Sequence, residues 1–520
     1  MSLSKVGKMT DYTVFSLLFY FLSCLVVGSL GLFSSFLLYL HYLHKINEHL
    51  PGPPRSSFIF GHLPEIWRYR RSGRTRLDYI WDKQLEHGPL FLIFFLHRPV
   101  VLIGDPVCIR ELFVNFHSDI RKGSFVFEKL GFIFGQRGGG YGLFTNTDQK
   151  SWSKRRRLMN PAFHRKCLKN FMNDFNQVCD RFLKRMNHVV ENGEETSMLK
   201  EFAKVTLDVI SQVSFSTSVG AIEHPESRFP VAIASSLRGI QANLNIPLSA
   251  TMLSIFQFRL FQNAEQREQI DAAKFLRRFA FECITNRIKD IEANKPVPDD
   301  LLNILVNDKT LSMDDIIDEF ITIFVAGQES TANFLAFTLY EIIRHPDVEA
   351  KILDEINEVL GSKEYVDFED LGKLKYLGQV LQESLRMHPV AGGPSRVLAK
   401  EITVGGYRLP KGNMVVAVKY MSGYNPDFWK NPDIFYPERF SAAENIPNFS
   451  TLYFPFSVGP RNCIGQTFAK FESKVILARV LRKFQFKLLP GQTAKMEERL
   501  TLAPRDGVVC EVKKRRYNLR

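Results

Sequence analysis

A single cysteine stands in the run Phe454-Pro455-Phe456-Ser457-Val458-Gly459-Pro460-Arg461-Asn462-Cys463-Ile464-Gly465. No second Cys, His or paired acid is close enough in sequence to share a zinc ion with it, so its sulfur is presented alone on a tight loop. A lone thiolate needs positive surroundings or a metal to stay deprotonated. Gly459 and Gly465 remove side chains where something flat must come close to the backbone, Phe456 offers an aromatic wall and Arg461 a charge. The run from Gln466 to Glu472 reads as a helix, which places Cys463 just before a helix N-terminus whose partial positive charge favours an anionic sulfur. The alternative reading is a structural cysteine buried in a glycine-rich turn.

Two further constellations carry chemistry. A capping-box-like Ser312-Met313-Asp314-Asp315 starts a long helix that runs to Arg344, ahead of His345-Pro346, and inside it lies Ala326-Gly327-Gln328-Glu329-Ser330-Thr331. Gly327 costs about 1 kcal/mol relative to alanine in a helix interior, which predicts a local distortion and a close approach of a ligand to the backbone. An acid beside a hydroxyl in an apolar helix suits proton delivery, with Ser330 or its neighbour Thr331 donating and Glu329 resupplying. The alternative is a hydroxyl pair satisfied by backbone carbonyls. Earlier in the chain, Trp152 and Arg156 lie four apart on one helix face, where an indole donor and a guanidinium could meet a dianionic cofactor edge; on their own, they read more often as a solvated basic face. Gly138-Gly139-Gly140-Tyr141-Gly142 lacks the Lys-Ser/Thr ending of a phosphate loop and reads, with Gly123 to Gly142 as a whole, as a flexible loop without helical period.

The ten positions from Phe456 to Gly465 match Phe-x-x-Gly-x-Arg-x-Cys-x-Gly without a departure, and by them the chain resembles the cytochrome P450 family. The resemblance implies haem b held through its iron by the Cys463 thiolate, a monooxygenase reaction with dioxygen, and electrons from NADPH through a separate reductase. It implies a haem-propionate role for Trp152 and Arg156, and for Arg396 beside Arg461. Phe456 and Gly465 are expected to line the cofactor. Glu329 and Ser330 resemble the family's Ala-Gly-x-Glu-Thr, with serine in place of the usual threonine; serine keeps the hydroxyl and loses the methyl that restricts its rotamers. Glu383-x-x-Arg386 together with Arg439 resembles the family's Glu-Arg-Arg network, structural in role. Within the family, Phe324 to Val390 and Tyr453 to Gly465 are most similar to a microsomal sterol side-chain hydroxylase. The implied substrate is a sterol, with fatty acids or another lipid as the alternative, and a haem-dependent isomerase or a non-catalytic haem or sterol binder as readings from other classes.

These residues need elements to position them, and the rest of the chain supplies helices with small antiparallel β-sheets at one side. The chain has 520 residues, 45% of them hydrophobic, with no long Pro/Ser/Gly-rich spacer after its first fifty or so residues, so a single large catalytic domain is expected. The formal net charge of +13 is dispersed among acids without an aromatic-interleaved basic stripe, which points away from nucleic acid and toward a membrane surface and an acidic protein such as a reductase. Seven scattered cysteines without a Cys-x-x-Cys fit a reducing compartment.

Val14 to Leu43 is free of charged residues with His41 neutral, a span longer than the about 20 residues that cross a bilayer as a helix. Positive charge after the span exceeds that before it, which puts the bulk of the protein in the cytosol, and the resemblance places the anchor in the endoplasmic reticulum membrane. The expected organisation is a lumenal N-terminus over residues 1–13, an anchor over 14–43, a basic and proline-rich hinge over 44–55, and the catalytic domain over 56–520. Glu401 to Val404, Tyr407 to Leu409 and Asn413 to Lys419 read as one small sheet, and Pro504 to Gly507 as the turn of a final hairpin. Phe229 to Phe261 is apolar and compatible with a pocket lid that touches the membrane, or equally with ordinary core helices.

Overall fold

The computed structural model describes residues 3–224, 226–245, 259–444 and 449–515. The chain divides into two compact units, Met1–Ile103 with Leu398–Val416 and Gly104–Val397 with Ala417–Arg520.

The first unit begins with helix α1 (Leu3–Ile46), whose apolar side chains, Leu17, Phe19, Val27 and Leu32 among them, are exposed. Its stretch Ser16–Ile46 is long and apolar enough to cross a membrane. The last turns pack inward: Leu40 and Leu43 are buried, and the His44 ring stands edge-on to Phe58 and Phe94 at 4.9 and 4.8 Å. Where the sequence reads a hinge, the backbone is tied down. Leu92 N donates to Pro51 O at 2.7 Å, and Phe94 N donates to His62 Nδ1, which leaves Nε2–H for Pro53 O at 3.0 Å. Helices α2 (Leu63–Arg71) and α3 (Arg76–His87) follow, the second started by a Thr75/Asp78 capping box.

Leu90 to Leu96 and Val100 to Ile103, joined across His97-Arg98-Pro99, read in the sequence as a hairpin, and strands β1 (Leu90–Phe95) and β2 (Arg98–Ile103) form it, in register from Leu90↔Ile103 to Phe95↔Arg98. The expected three-stranded sheet is not formed. β3 (Ile402–Val404) and β4 (Tyr407–Leu409) pair only with each other, whereas β5 (Met414–Ala417) lies beside β2. The cause is the Pro410-Lys411-Gly412 turn: Gly412 N and Asn413 O bond back to Leu398, which turns the chain out of the β3–β4 ladder.

The second unit is helical: α4 (Ser124–Gly131), α5 (Gln149–Met159), α6 (Met172–Glu191), α7 (Met198–Phe215), α8 (Arg228–Asn245), α9 (Ala264–Glu292), α10 (Met313–Arg344), α11 (Pro346–Leu360), α12 (Lys375–Met387) and α13 (Gln466–Lys483). α4 corrects the reading of Gly123 to Gly142 as wholly irregular; it is a two-turn helix, too short to display a period, that buries Phe127 and Lys129. The loop after it is pinned. Tyr141 N donates to Asp318 and Leu143 N to Glu319, both at 2.8 Å, and Arg137, Arg155 and Arg277 pair with the acids of the first turns of α10. A Cβ on Gly142 would lie 2.0 Å from Thr322 Oγ1, so the glycines let the loop rest on α10. Of the stretch Phe229 to Phe261, residues 246–258 lie outside the described residues; its first half is in α8.

α10 is the central element, capped by Ser312 and Asp315 as read from the sequence and buried on nearly every side. Phe215 of α7 stacks on Phe320 with ring centroids 3.8 Å apart, and each such fully buried phenylalanine contributes about 1.5–3 kcal/mol. The distortion expected at Gly327 is absent. The helix is continuous, and a Cβ there would meet Ile210 Cγ1 and Cδ1 at 2.8 Å, so the glycine admits α7 rather than a ligand.

At the C-terminus, β6 (Phe484–Leu488) pairs with β9 (Val509–Lys514), and β7 (Met496–Glu498) with β8 (Leu502–Pro504). The hairpin turn is therefore Arg499 to Thr501, closed by Arg499 N donating to Thr501 O at 2.9 Å. Pro504 to Gly507 is a real turn, with Gly507 N on Pro504 O, but it joins two different sheets.

Candidate active site

The cysteine loop is built by backbone bonds. Ser457 N donates to Phe454 O, Asn462 N to Gly459 O, and Cys463 N to Phe456 O at 2.9 Å. Gly459 has φ +78°, and a Cβ on it would lie 2.2 Å from Phe113 O, so both conformation and space demand glycine. Gly465 is the N-cap of α13, and the only atom near its would-be Cβ is Cys463 Sγ, at 4.0 Å.

The sulfur has an exposed face yet behaves as an enclosed group. Burial raises the Cys463 thiol above its ordinary value, while the Gly465 N–H, Lys419 and Arg156 lower it, in that order. Both observations hold when the exposed face looks into the protein rather than into bulk water. Lys419 is itself buried; its Nζ donates to Pro455 O at 2.5 Å, and burial lowers it to about 8. The Phe456 ring is partly buried and carries Lys470 Nζ at 5.4 Å from its centroid.

Trp152 and Arg156 have different neighbours. Asp148 caps α5, Trp152 faces inward, and Arg156 turns to the cysteine loop, with Nη1 2.7 Å from Asn462 O, Nη2 2.9 Å from Asn462 Oδ1 and Nε on Asn160. The cation over the Trp152 ring is Arg461, 4.1 Å from its centroid, which also donates to Asn146 O at 2.8 Å and to Gln149.

Arg396 lies on the short strand Ser395–Leu398, buried, 5.4 Å from the Phe113 centroid and donating to Ser395 O. Burial lowers Arg396 and Arg461 each to about 10. A third cation, Lys122, joins them; it donates to Phe144 O, and burial, then Arg461 and Arg396, hold its amine well below its usual range. Among the described residues no carboxylate pairs with Lys122 or Arg396, and only Asp148 offsets Arg461. Three mutually repelling, desolvated cations beside an indole whose N–H has no acceptor among the described residues form a receptor for an anionic, flat group. With the inward-facing thiol and open Gly465, these residues fit a haem carrying carboxylates. Sequence reading missed Lys122, Lys419 and the position of Asn462; single basic residues in a basic chain give no signal.

On α10, Ala326 is exposed and Val325 and Gly327 beside it are half-buried, in a helix that is otherwise largely buried, which marks the face that borders the open interior. Ser330, one turn on, shares that face, and its Oγ donates to Ala326 O at 2.7 Å. Thr331 points elsewhere. It is buried against α13, its hydroxyl toward Glu472, a carboxyl that burial pushes well above its usual range and whose oxygens reach full hydrogen-bond geometry with no donor among the described residues. Glu329 is raised to about 7 by burial, opposed by a hydrogen bond from Thr501 and by Arg499.

Behind the loop, Glu383 accepts from Arg386 Nε at 2.7 Å and Nη2 at 2.9 Å, from Arg439 Nε at 3.3 Å and from Tyr436 N at 2.9 Å. The network the sequence anticipated is thus assembled and fully buried, and Arg439 carries it on to Lys430 O.

Comparison with known proteins gives one consistent answer. The chain matches the Cytochrome P450 family over residues 51–516. Cytochrome P450 3A9 of Rattus norvegicus is 30% identical over 469 residues, 86% of this chain and 89% of that protein. Cytochrome P450 4d2 of Drosophila melanogaster is 29% identical over 492 residues, 90% of this chain and 94% of that one. A Lithocholate 6-beta-hydroxylase of Mesocricetus auratus is 27% identical over 490 residues, with 89% and 91% coverage. The crystal structure of the cytochrome P450DA heme domain superposes with TM-score 0.77 at 24% identity, covering 90% of this chain and 98% of that chain, which establishes the mainly helical fold with small sheets.

Proposed function

This chain belongs to the cytochrome P450 family, and from that membership we propose a membrane-anchored monooxygenase that hydroxylates a sterol side chain, in the manner of cholesterol 24-hydroxylase. The family assignment makes it a haem-thiolate monooxygenase whose electrons come from NADPH through a reductase. The haem, when bound, supplies dioxygen activation: one oxygen atom enters a substrate C–H bond and the other leaves as water with two protons and two electrons. Cys463 would be its ligand. Trp152, Arg396, Arg461 and Lys122 would face its carboxylates, Phe456 and Gly465 would line it, and Arg156 would act through Asn462, holding the loop.

What the chain itself must do is move protons. The observation that carries the monooxygenase reading is the shared face of Ala326 and Ser330 with Glu329 beside it, poised at about 7. At neutral pH that carboxyl is present in both forms, so it can give a proton and recover one. Ser330 has its proton on Ala326 O and its lone pairs toward the open face. To donate, it must leave that carbonyl, and a serine without the γ-methyl turns easily. An isomerase would have no use for this arrangement. Thr331, facing Glu472, has a structural role and is not in the relay.

The sterol assignment is supported by the likeness of Phe324 to Val390 and Tyr453 to Gly465 to cholesterol 24-hydroxylase, and by a relative whose name specifies hydroxylation of lithocholate. α1 supports an anchor over residues 14–43, in the endoplasmic reticulum membrane, with residues 44–55 leading to a cytosolic catalytic domain over 56–520. The test is the full chain with NADPH-cytochrome reductase in lipid, incubated with a panel of sterols and fatty acids, and identification of the oxidised carbon. NADPH- and dioxygen-dependent hydroxylation on a sterol side chain is expected. Oxidation of fatty acids alone would overturn the sterol assignment, and turnover independent of NADPH would overturn the monooxygenase assignment.

A further inference from the structure

Glu329 does not stand alone on α10; the turn of the β7–β8 hairpin bonds to the same helix face one turn further on. Asn333, one helical turn beyond Glu329 and buried, donates from Nδ2 to Thr501 Oγ1 at 2.7 Å. An amide nitrogen is only a donor, so the Thr501 oxygen is the acceptor in that bond, and its single proton remains to be given elsewhere. Glu329, one turn before Asn333 on the same helix face, is the acid on which that hydroxyl acts. A hydroxyl held in this way keeps its proton for an acceptor beside it, and donation to Glu329 favours the ionised carboxylate. The charged group facing Glu329 is Arg499, on the same turn, and Arg499 is itself engaged by Glu497, Nη2 to Oε2 at 2.7 Å. Among the described residues no other charged group acts on it.

We propose that Thr501, oriented by Asn333, is a positioning residue for the proton-supplying carboxyl Glu329, and that its hydroxyl sets the pH range in which electron consumption is coupled to hydroxylation. The inference rests on the reading of Glu329 as the proton source. No bond to substrate is involved: Glu329 passes a proton toward Ser330, the Thr501 O–H stabilises the resulting carboxylate, and solvent returns the proton. The turn carrying Thr501 thus acts on the chemistry through a helix far from it in sequence, a juxtaposition made by the fold, with Asn333 and Thr501 bonded across 168 positions.

The experiment uses the full-length holoenzyme with reductase and reads product per NADPH across pH. Coupling needs protonated Glu329, so it falls as pH rises through the value of that group. Thr501→Val removes the stabilising donor and should move the midpoint of this fall to higher pH by about one unit, the size of one hydrogen bond to a charged group. Thr501→Ser should restore it, and Asn333→Ala, which frees the hydroxyl to rotate, should give a smaller shift in the same direction. A second readout needs no turnover: the protonated-carboxyl infrared band that Glu329→Gln removes should titrate with the same displacement. Uniformly lower coupling with both midpoints unmoved would overturn the proposal and leave Thr501 as packing. Failure of the underlying reading is separable, because a Glu329→Gln enzyme that keeps the wild-type pH profile removes Glu329 from the relay whatever Thr501 does to the infrared band.

Discussion

Arg156 grips Asn462, the residue directly before Cys463, at both its carbonyl and its side-chain oxygen, 2.7 and 2.9 Å away. A planar fork can make both bonds at once, and a lysine cannot. Arg156→Lys should therefore loosen the loop by about 1.5–3 kcal/mol, the range for hydrogen bonds to a charged group. Haem release on heating should come earlier, and Asn462→Ala should add little to it. Wild-type haem retention in Arg156→Lys would show that the grip is incidental.

Ser330 and Thr331 are adjacent, Ser330 on the open face of α10 and Thr331 buried against α13, so their substitutions should separate cleanly. Ser330→Ala should keep haem and substrate binding while product per NADPH falls and peroxide rises. Ser330→Thr should hold or improve that ratio. Thr331→Val should lower the melting temperature with coupling unchanged, because its hydroxyl faces Glu472. Peroxide release from Thr331→Val with none from Ser330→Ala would place the relay one residue along.

Glu472 is a buried carboxyl raised above its ordinary value by burial, with Thr331 as its opposing hydrogen bond. A folded-state value above the unfolded one means that its contribution to stability is full below the unfolded value and is lost as pH rises through the folded value. Glu472→Gln has the same shape and cannot ionise. Thermal unfolding from acid to alkaline pH should show the wild type losing ground to Glu472→Gln as pH rises. Parallel curves would mean that Glu472 does not change protonation on folding.

Gly327 is tight against Ile210. Alanine would gain about 1 kcal/mol in helix propensity and incur about 1–3 kcal/mol of overpacking against that side chain. Gly327→Ala should be neutral to destabilising alone and stabilising in an Ile210→Ala background, a coupling that chemical denaturation of the double-mutant cycle measures. Additive effects would contradict the packing role.

What could be read in advance depended on whether the signal was local. The Cys463 loop, the Ser312 cap of α10 and the β1–β2 hairpin are set by residues a few positions apart, and they stand where the sequence put them. Lys122, Lys419, Asn333 and Thr501 reach the site only through tertiary packing, and nothing near them in the chain marks them out. Gly327 was misread because a glycine in a helix looks the same whether a ligand or another helix approaches it. The contact of Arg461 with the Trp152 ring gave no signal in advance, because the two residues lie far apart in the chain and only the fold lays one across the other. The final hairpin was misplaced because two turns lie within ten residues, and Pro504-Gly507 carries the stronger composition signal.

The central claim is that Cys463 ligates the haem as a thiolate, and the absorption spectrum of the reduced carbon monoxide complex tests it most directly. The wild type should give the red-shifted Soret band of thiolate ligation, and Cys463→His should take up less haem and give none of that band. Retention of the thiolate-type band by Cys463→His would contradict the account, since the ligand would then have to be another residue.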